Sequence, residues 1–306
     1  MARQPILPSS IADPTGQDHR ERRAMADFKR RLTNIQRGLL SILDQQQYTV
    51  VTINAASLDI NERVYRFELD EFIIRNIDAQ IGDLIDSILL EGGPTQLWFL
   101  ESYIKQAYQQ GTAQSHANLA VQSAEYAVTK PNLESILLSE PYRKRLGLIR
   151  ARQFESMKGF AGALKDTLSR TLTEGMALGH NPRKVALAIQ KRTGVSLSRA
   201  NTIARTEITT ALRKARMDET EDANERLGIQ TLEMHLSAFS PTTRIKHARR
   251  HGTLHTIQDQ REWWSVDGNS VNCKCSTISV LVDDDGQPLT PAIVDRARQL
   301  KQKKLK

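Results

Sequence analysis

Arg244-Ile245-Lys246-His247-Ala248-Arg249-Arg250-His251-Gly252 and, further along, Asn272-Cys273-Lys274-Cys275 contain the only two cysteines of the chain and two of its seven histidines. His247 and His251 are four apart, so on a helix they share one face. Cys273 and Cys275 are two apart, so on a strand they share one face. The flanking patterns supply such elements. Ile229 to Leu236 alternates apolar and polar residues, and Ser276 to Val282 is a second β-like run that ends in Asp283-Asp284-Asp285-Gly286. A short His-bearing helix and a loop with Trp263 and Trp264 lie between them. Residues 229–282 therefore read as a small α+β module.

Two histidines and two cysteines are the ligand set of a tetrahedral zinc site, here His247, His251, Cys273 and Cys275. The C-x-C spacing is tighter than the usual zinc spacing. The competing reading is two small buried thiols on a strand, with a histidine that bridges Glu207 or a backbone carbonyl. A disulfide within Cys273-Lys274-Cys275 would be strained and is not expected. His255 and Asp259 are expected at the surface, and Asn272 at a turn that leads into the second strand. Trp263 and Trp264 either both enter the core or divide between the core and a partner surface. No HExxH, GxSxG or P-loop occurs, so neither a hydrolytic metal site nor an activated nucleophile has a sharp motif.

Upstream of the module the pattern is helical. Phe154, Met157, Ala161, Leu164, Leu168, Leu172 and Met176 predict a long amphipathic helix that ends at Gly179. Asn181-Pro182 starts a short helix to about residue 192. Gly194-Val195-Ser196-Leu197-Ser198 leads into another helix over 198–226, stopped by Gly228. On that helix Ala200, Ile203, Ala204, Ala211 and Ala215 form the apolar stripe, and Glu207 falls with them. A carboxylate on a packed face needs a partner. Arg244, Arg205 or a histidine is expected there, in an ion pair that locks the helix to the module. The other reading is a catalytic carboxylate.

Residues 1–18 are rich in Pro, Ser, Asp and Gly and read as a disordered or docking arm. Met25, Phe28, Leu32, Ile35, Leu39 and Ile42 alternate three and four apart, a heptad seam that packs lengthwise on another helix. Tyr48 to Ile53 is β-like, a short strand or an extended connector. Leu69, Phe72, Ile73, Ile77, Leu84, Ile85 and Ile88 resume a helical face, and Glu91-Gly92-Gly93-Pro94 stops it. Helices over 95–110 and 112–128 follow. The expected organisation is an arm (1–18), a helical domain (19–150), a helical stalk (151–228), the α+β module (229–282) and a basic tail (283–306). The fold class is mainly α with a small C-terminal α+β module, and long amphipathic helices fill the N-terminal and central regions.

A chain of 306 residues can bury a substantial core and holds about two domains. Hydrophobic residues make up 39%, with no apolar run long enough to span a bilayer. The first ten residues lack an apolar h-region and do not read as a secretory signal, so a soluble cytosolic protein is expected. The net charge of +8 attracts polyanions. Arg22, Arg23, Lys29, Arg30 and Arg31 concentrate it near the N-terminus, and Lys301 to Lys306 form a second basic run. No aromatic residues interleave with these runs, which argues against a base-stacking surface. Phosphate contact with double-stranded DNA and merely solvated basic ends both remain as readings.

Arg205-Thr206-Glu207, then Gly228, Arg244, His247 and Gly252, then Asn272, Cys273 and Cys275 resemble, in that order, the Mu F-like family of phage minor head (head morphogenesis) proteins. The resemblance spans roughly residues 150–282. Lys274 stands where the family usually has Arg. Met234-His235-Leu236 stands where a Trp is common, and Asn269-Ser270-Val271 where a Pro often precedes the Asn-Cys pair. The resemblance implies a non-enzymatic minor capsid component of a tailed phage. It would sit at the portal vertex of the virion head, having assembled in the host cytoplasm, and assist head assembly, DNA packaging or ejection. The portal protein is the implied partner, with major capsid or scaffold protein and double-stranded DNA as further ones, and no membrane. Arg205, Glu207, Arg244, His247, His251, Asn272, Cys273 and Cys275 would then form a structural cluster, with zinc as its one candidate cofactor. Two rival functions are a metal-dependent nuclease or toxin-like effector, which needs the His/Cys/Glu cluster open to solvent, and a DNA-binding scaffold protein of the head.

Overall fold

The structure, a computed structural model, describes residues 3–55 and 60–305. The first two residues of the expected arm and Lys306 of the expected basic tail lie outside the described residues. In chain order the elements are α1 (Asp18–Asp44), β1 (Tyr48–Ala55), β2 (Ile60–Phe67), α2 (Glu71–Leu89), α3 (Gly93–Gln96), a π-helical turn (Leu100–Ile104), α4 (Lys105–Gln122), α5 (Ala124–Thr129), α6 (Leu133–Leu137), α7 (Glu140–Ala177) and α8 (Pro182–Leu227). Then come β3 (Thr231–Leu236), α9 (Ile245–Arg249), β4 (Leu254–His255), α10 (Ile257–Ser265), β5 (Ser276–Leu281) and α11 (Pro291–Leu305). The chain is mainly α with a small C-terminal α+β module, as the sequence pattern predicts. No described helix is long and apolar enough to cross a membrane.

Two compact units are each assembled from separated stretches: Met1–Ala24, Glu101–Gly147 and Thr202–Lys306 in one, Met25–Leu100 and Leu148–Asn201 in the other. The second unit is a helical core built on the predicted seam. Phe28, Leu32, Ile35, Leu39 and Ile42 of α1 are all buried, as are Ile77, Ile81, Ile85 and Leu89 of α2 and Met157, Phe160, Leu164, Leu168 and Leu172 of α7. Phe28 packs against the rings of Trp98, Phe99 and Phe160 with centroids 5.0, 5.2 and 6.2 Å away. Phe72, expected on the packed face of α2, is instead 78% exposed. It lies in the first turn, next to Asp70, whose side chain caps the helix by accepting from Ile73 N.

Tyr48–Ala55 is a strand that pairs antiparallel with Ile60–Phe67 in a hairpin, with Tyr48 opposite Phe67 and Val51 opposite Val64. The second strand escapes the sequence pattern because Asn61, Glu62, Arg63 and Arg66 break its apolar run. The hairpin is held at the α7–α8 connection. Tyr65 N donates to Gly179 O at 3.0 Å, and Asn181 Nδ2 donates to Tyr65 OH at 2.9 Å. Gly179 ends α7 as predicted, in the left-handed region at φ 66°.

Three glycine and proline signals were outweighed. Gly194 does not interrupt α8, which runs unbroken from Pro182 to Leu227. An exposed helical glycine costs only about 1 kcal/mol against alanine, too little to break a helix anchored on both sides. Pro141 does not keep α7 from starting at Glu140, ahead of the apolar positions that begin at Phe154. It sits in the first turn, where its missing N–H would have no partner anyway. Gly111 does not separate two helices either. It lies inside α4, at a close approach to α8 where an added Cβ would come within 2.3 Å of Leu212 O and 2.8 Å of Ala215 Cβ.

In the first unit the sheet has the order β4-β3-β5, all antiparallel, with Met234 opposite Ile278 and Glu233 opposite Ser279. The tail expected after residue 282 is largely helix α11. Its Ile293, Val294 and Ala297 pack on Met234, Leu236, Ile278 and Val280 to form the apolar core of the module. The described part of the arm lies on the same unit, with Ile6 N donating to Asn118 Oδ1 at 2.9 Å.

Candidate functional site

Strand alternation puts two different faces on the module sheet. The apolar face meets α11. The other carries Thr231, Glu233, His235, Thr277 and Ser279, all buried. Polar side chains on a buried face call for partners, and α8 and α4 provide part of them, while Glu233 Oε2, His235 Nε2 and Thr277 Oγ1 have none among the described residues. Thr220 Oγ1 lies 2.7 Å from Ser279 Oγ, which donates to Glu233 Oε1 at 2.6 Å. Arg216 Nη1 donates to Ser276 Oγ at 3.0 Å. Asn118 Nδ2 and Gln122 Nε2 donate to Ser279 O at 2.9 and 3.0 Å. Thr209, Arg213, Arg216 and Thr220 of α8 recur four and three apart and are all buried. They form a polar stripe beside the apolar one.

The Asn272-Cys273-Lys274-Cys275 turn sits at the end of this stripe and is held from three directions. Arg244, the residue before α9, spreads its guanidinium over the preceding loop. Its Nη1 donates to Gly268 O at 2.8 Å, and its Nη2 donates to Asn269 O at 2.9 Å and Val271 O at 3.1 Å. Thr206 and Arg205 of α8 hold Asn272. Asn272 N donates to Thr206 Oγ1 at 3.1 Å, and Arg205 Nη1 donates to Asn272 Oδ1 at 3.5 Å. Arg213, 2% exposed, donates from Nη1 to Cys273 O at 3.2 Å and Cys275 O at 3.3 Å. Asn272 itself is left-handed at φ 51°, a conformation that Asn tolerates better than other non-glycine residues.

This turn presents both sulfurs to His247. Its Nδ1 is 3.4 Å from Cys273 Sγ and 3.7 Å from Cys275 Sγ. The three residues are 1%, 4% and 2% exposed, and one donor atom of each lies within 4.8 Å of the others. The hydrogen bond from Cys275 draws the Cys273 thiol far below its ordinary value against the effect of burial, with His247 and Arg213 adding to the pull. The same bond, with burial, pushes Cys275 up. A backbone N–H of Ala238 and the Ser237 hydroxyl also reach the Cys275 sulfur.

An aromatic layer closes the cluster. The loop expected around the tryptophans is helix α10, started by a capping box in which Thr256 Oγ1 accepts from Asp259 N and Asp259 accepts from Thr256 N. Asp259 is thus a cap. Trp264 is buried and Trp263 partly so. Trp263 meets the His247 ring edge-on at 4.6 Å and the His235 ring at 5.0 Å. Arg250 stacks over Trp263 at 4.7 Å and Arg213 over Trp264 at 4.5 Å. His235 stands where the resemblance leads one to expect Trp. It is fully buried, with Nδ1 3.1 Å from Gln260 Nε2, and burial holds its pKa well below the ordinary histidine value.

The structure separates other residues from this group. His251, expected beside His247 as a fourth ligand, lies apart. The short α9 ends at Arg249, before His251, so the shared helix face does not extend that far. Its Nδ1 accepts from Ser237 N at 3.0 Å, and its ring packs on Phe239 at 4.7 Å. Burial lowers its pKa to about 4, helped by Lys301 and opposed by the Ser237 bond. Glu207 is half-buried, because the packed stripe of α8 runs through Ala204, Ile208, Ala211 and Ala215, one step to its side. Arg205 Nε donates to Glu21 Oε2 at 3.1 Å, Arg244 holds the loop carbonyls, and His247 faces the sulfurs. Burial raises the Glu21 carboxyl, against Lys274 and Arg205. Lys274 pairs with Asp18.

Of the basic residues near the N-terminus, Arg22, Arg23, Lys29 and Arg30 are exposed, and Arg30 pairs with Asp27. Arg31 is taken up by the fold. It pairs with Glu91 at 2.6 Å and stacks over Trp98 at 4.0 Å. Sequence reasoning missed Arg213, Arg216, His235 and Gln260. The available signal was the polar stripe on α8 at helical spacing, opposite a strand of alternating Ser and Thr.

A family model described as "Phage Mu protein F like protein" matches residues 166–278, a span that contains every residue of the cluster from Arg205 to Cys275. No curated protein and no solved structure matches the chain.

Proposed function

We propose, on the premise that residues 166–278 belong to the Phage Mu protein F-like family, that this chain is a minor head protein of a tailed phage that binds the portal. In this reading it joins the head at the portal vertex during assembly in the host cytoplasm and assists packaging or ejection of DNA, with major capsid or scaffold protein as a further contact. The observation that carries the reading is the family match together with the burial of its motif residues. His247, Cys273 and Cys275 are at most 4% exposed, and Arg205, Thr206, Arg213 and Arg244 are each hydrogen-bonded to the turn that carries the cysteines or to the loop before it. Such a set serves to hold a module in shape rather than to meet a substrate. A nuclease or toxin-like reading needs the cluster open.

The test is co-purification of the full chain with the portal protein of its own phage at moderate and high salt. Stable association that resists salt is the expected result, and absence of association at both would overturn it. Exposed Arg22, Arg23 and Lys29 favour a second contact, with DNA phosphates. Binding through them should weaken steeply as salt rises, which distinguishes it from the portal contact.

A further inference from the structure

His247, Cys273 and Cys275 bring an imidazole nitrogen and two sulfurs together in one buried site. We propose that His247 Nδ1, Cys273 Sγ and Cys275 Sγ hold one zinc ion as a structural metal of the module.

The donor set is the first support. Thiolate and imidazole together select zinc over the oxygen-seeking divalent cations. Distance is the second. Zinc bonds of about 2.3 Å to sulfur and about 2.0–2.1 Å to nitrogen, at a tetrahedral angle, put N and S about 3.6 Å apart. The two N···S separations are 3.4 and 3.7 Å, so the donors already stand at the edges of such a tetrahedron.

The third support is that the donors are fixed by other residues. Arg213 holds the carbonyls of both cysteines, Arg244 the loop before them, and Thr206 the Asn272 amide. The ring of His247 is fixed by Trp263 at 4.6 Å. A turn restrained by these bonds presents two sulfurs on one side with little freedom left to lose on binding.

Binding takes the imidazole as its neutral form and both sulfurs as thiolates, and any thiol proton displaced leaves to solvent. Three protein donors leave one coordination place of the tetrahedron. His251 is not the fourth ligand, because its Nδ1 accepts from Ser237 N.

The experiment uses the full chain, dialysed against zinc and then passed over a chelating resin. Metal is counted by mass spectrometry, and cobalt replacement is followed by optical absorption. The expected result is about one zinc per chain, with a thiolate-to-cobalt charge-transfer band on replacement. Cys273→Ser and Cys275→Ser should each lower retained zinc at least tenfold, while His251→Asn retains it. Zinc retained by both serine variants would overturn the proposal, since the metal would then lie elsewhere. So would a wild-type chain that keeps no zinc and gives no such band. Should the serine variants fail to fold, the cobalt spectrum of the wild type decides. None of these outcomes touches portal association, so the two readings fail separately.

Discussion

Thr206 Oγ1 accepts the backbone N–H of Asn272 at 3.1 Å. Through this bond the Arg-Thr-Glu segment of a long helix meets a turn 66 residues away in sequence. The bond fixes the residue that starts the cysteine turn in its left-handed conformation. Thr206→Val keeps the shape and removes the acceptor, and should cost about 1 kcal/mol. Asn272→Gly should be close to neutral, whereas Asn272→Val should cost about 1–2 kcal/mol, since a β-branched residue is poorly accommodated at positive φ. Urea unfolding of the three variants checks the order. Equal stability of the Gly and Val variants would show that the turn does not hold this conformation in solution.

Arg213 should matter more. It is buried, and it bridges the carbonyls of Cys273 and Cys275. Arg213→Met leaves both without that donor and removes the stacking on Trp264, for a loss of about 2–3 kcal/mol. Arg213→Lys should recover little, because one ammonium does not reproduce a planar fork. Thermal unfolding reads both, and full rescue by lysine would show that charge alone suffices.

Much of this arrangement was legible in the sequence, and the reasons differ by residue. The α1 seam was readable because Phe28, Leu32, Ile35 and Leu39 face one way under helical spacing. The strands β3 and β5 were readable from alternation. The cysteine turn and His247 were readable as a group because chemistry-bearing residues at such spacings are few. Glu207 falls at the half-buried edge of the alanine stripe, and the edge of so broad a stripe cannot be told from its centre without the partner surface. His251 was misplaced because four-residue spacing implies a shared face only while the helix lasts, and α9 stops first. Arg213 and Arg216 were invisible for a deeper reason. A buried arginine looks like a surface one until the polar face opposite is known, and that face comes from β3 and β5, distant in sequence.

His251 gives the chain a pH response with a definite sign. Burial depresses its pKa from 6.5 to about 4 in the folded state, where Lys301 adds and the Ser237 amide opposes. The unfolded chain therefore binds a proton at higher pH than the folded one. The stability that neutral His251 contributes is fully present above pH 6.5 and is lost as pH falls through 4. The melting temperature should drop between pH 7 and pH 4.5. His251→Asn keeps an acceptor for Ser237 N without titrating, and should flatten part of that drop. An unchanged slope in the variant would assign the acid sensitivity to other groups.

Gly111 and Gly194 are both helical, yet alanine should act on them in opposite directions. At Gly194 an added Cβ meets nothing within 4 Å, so Gly194→Ala gains helix propensity alone and should stabilise by about 0.5–1 kcal/mol. At Gly111 the same methyl would lie 2.3 Å from Leu212 O. No flexible side chain can yield there, because the obstacle is the backbone of α8. The gain in propensity is then outweighed by overpacking, which typically costs about 1–3 kcal/mol. Because α4 and α8 together carry polar residues that bond to the sheet, forcing them apart also loosens Asn118 and Thr220 from Ser279. Gly111→Ala should therefore destabilise in denaturant and raise amide exchange along β5. A stabilised variant at position 111 would mean that the two helices are farther apart in solution than this packing requires.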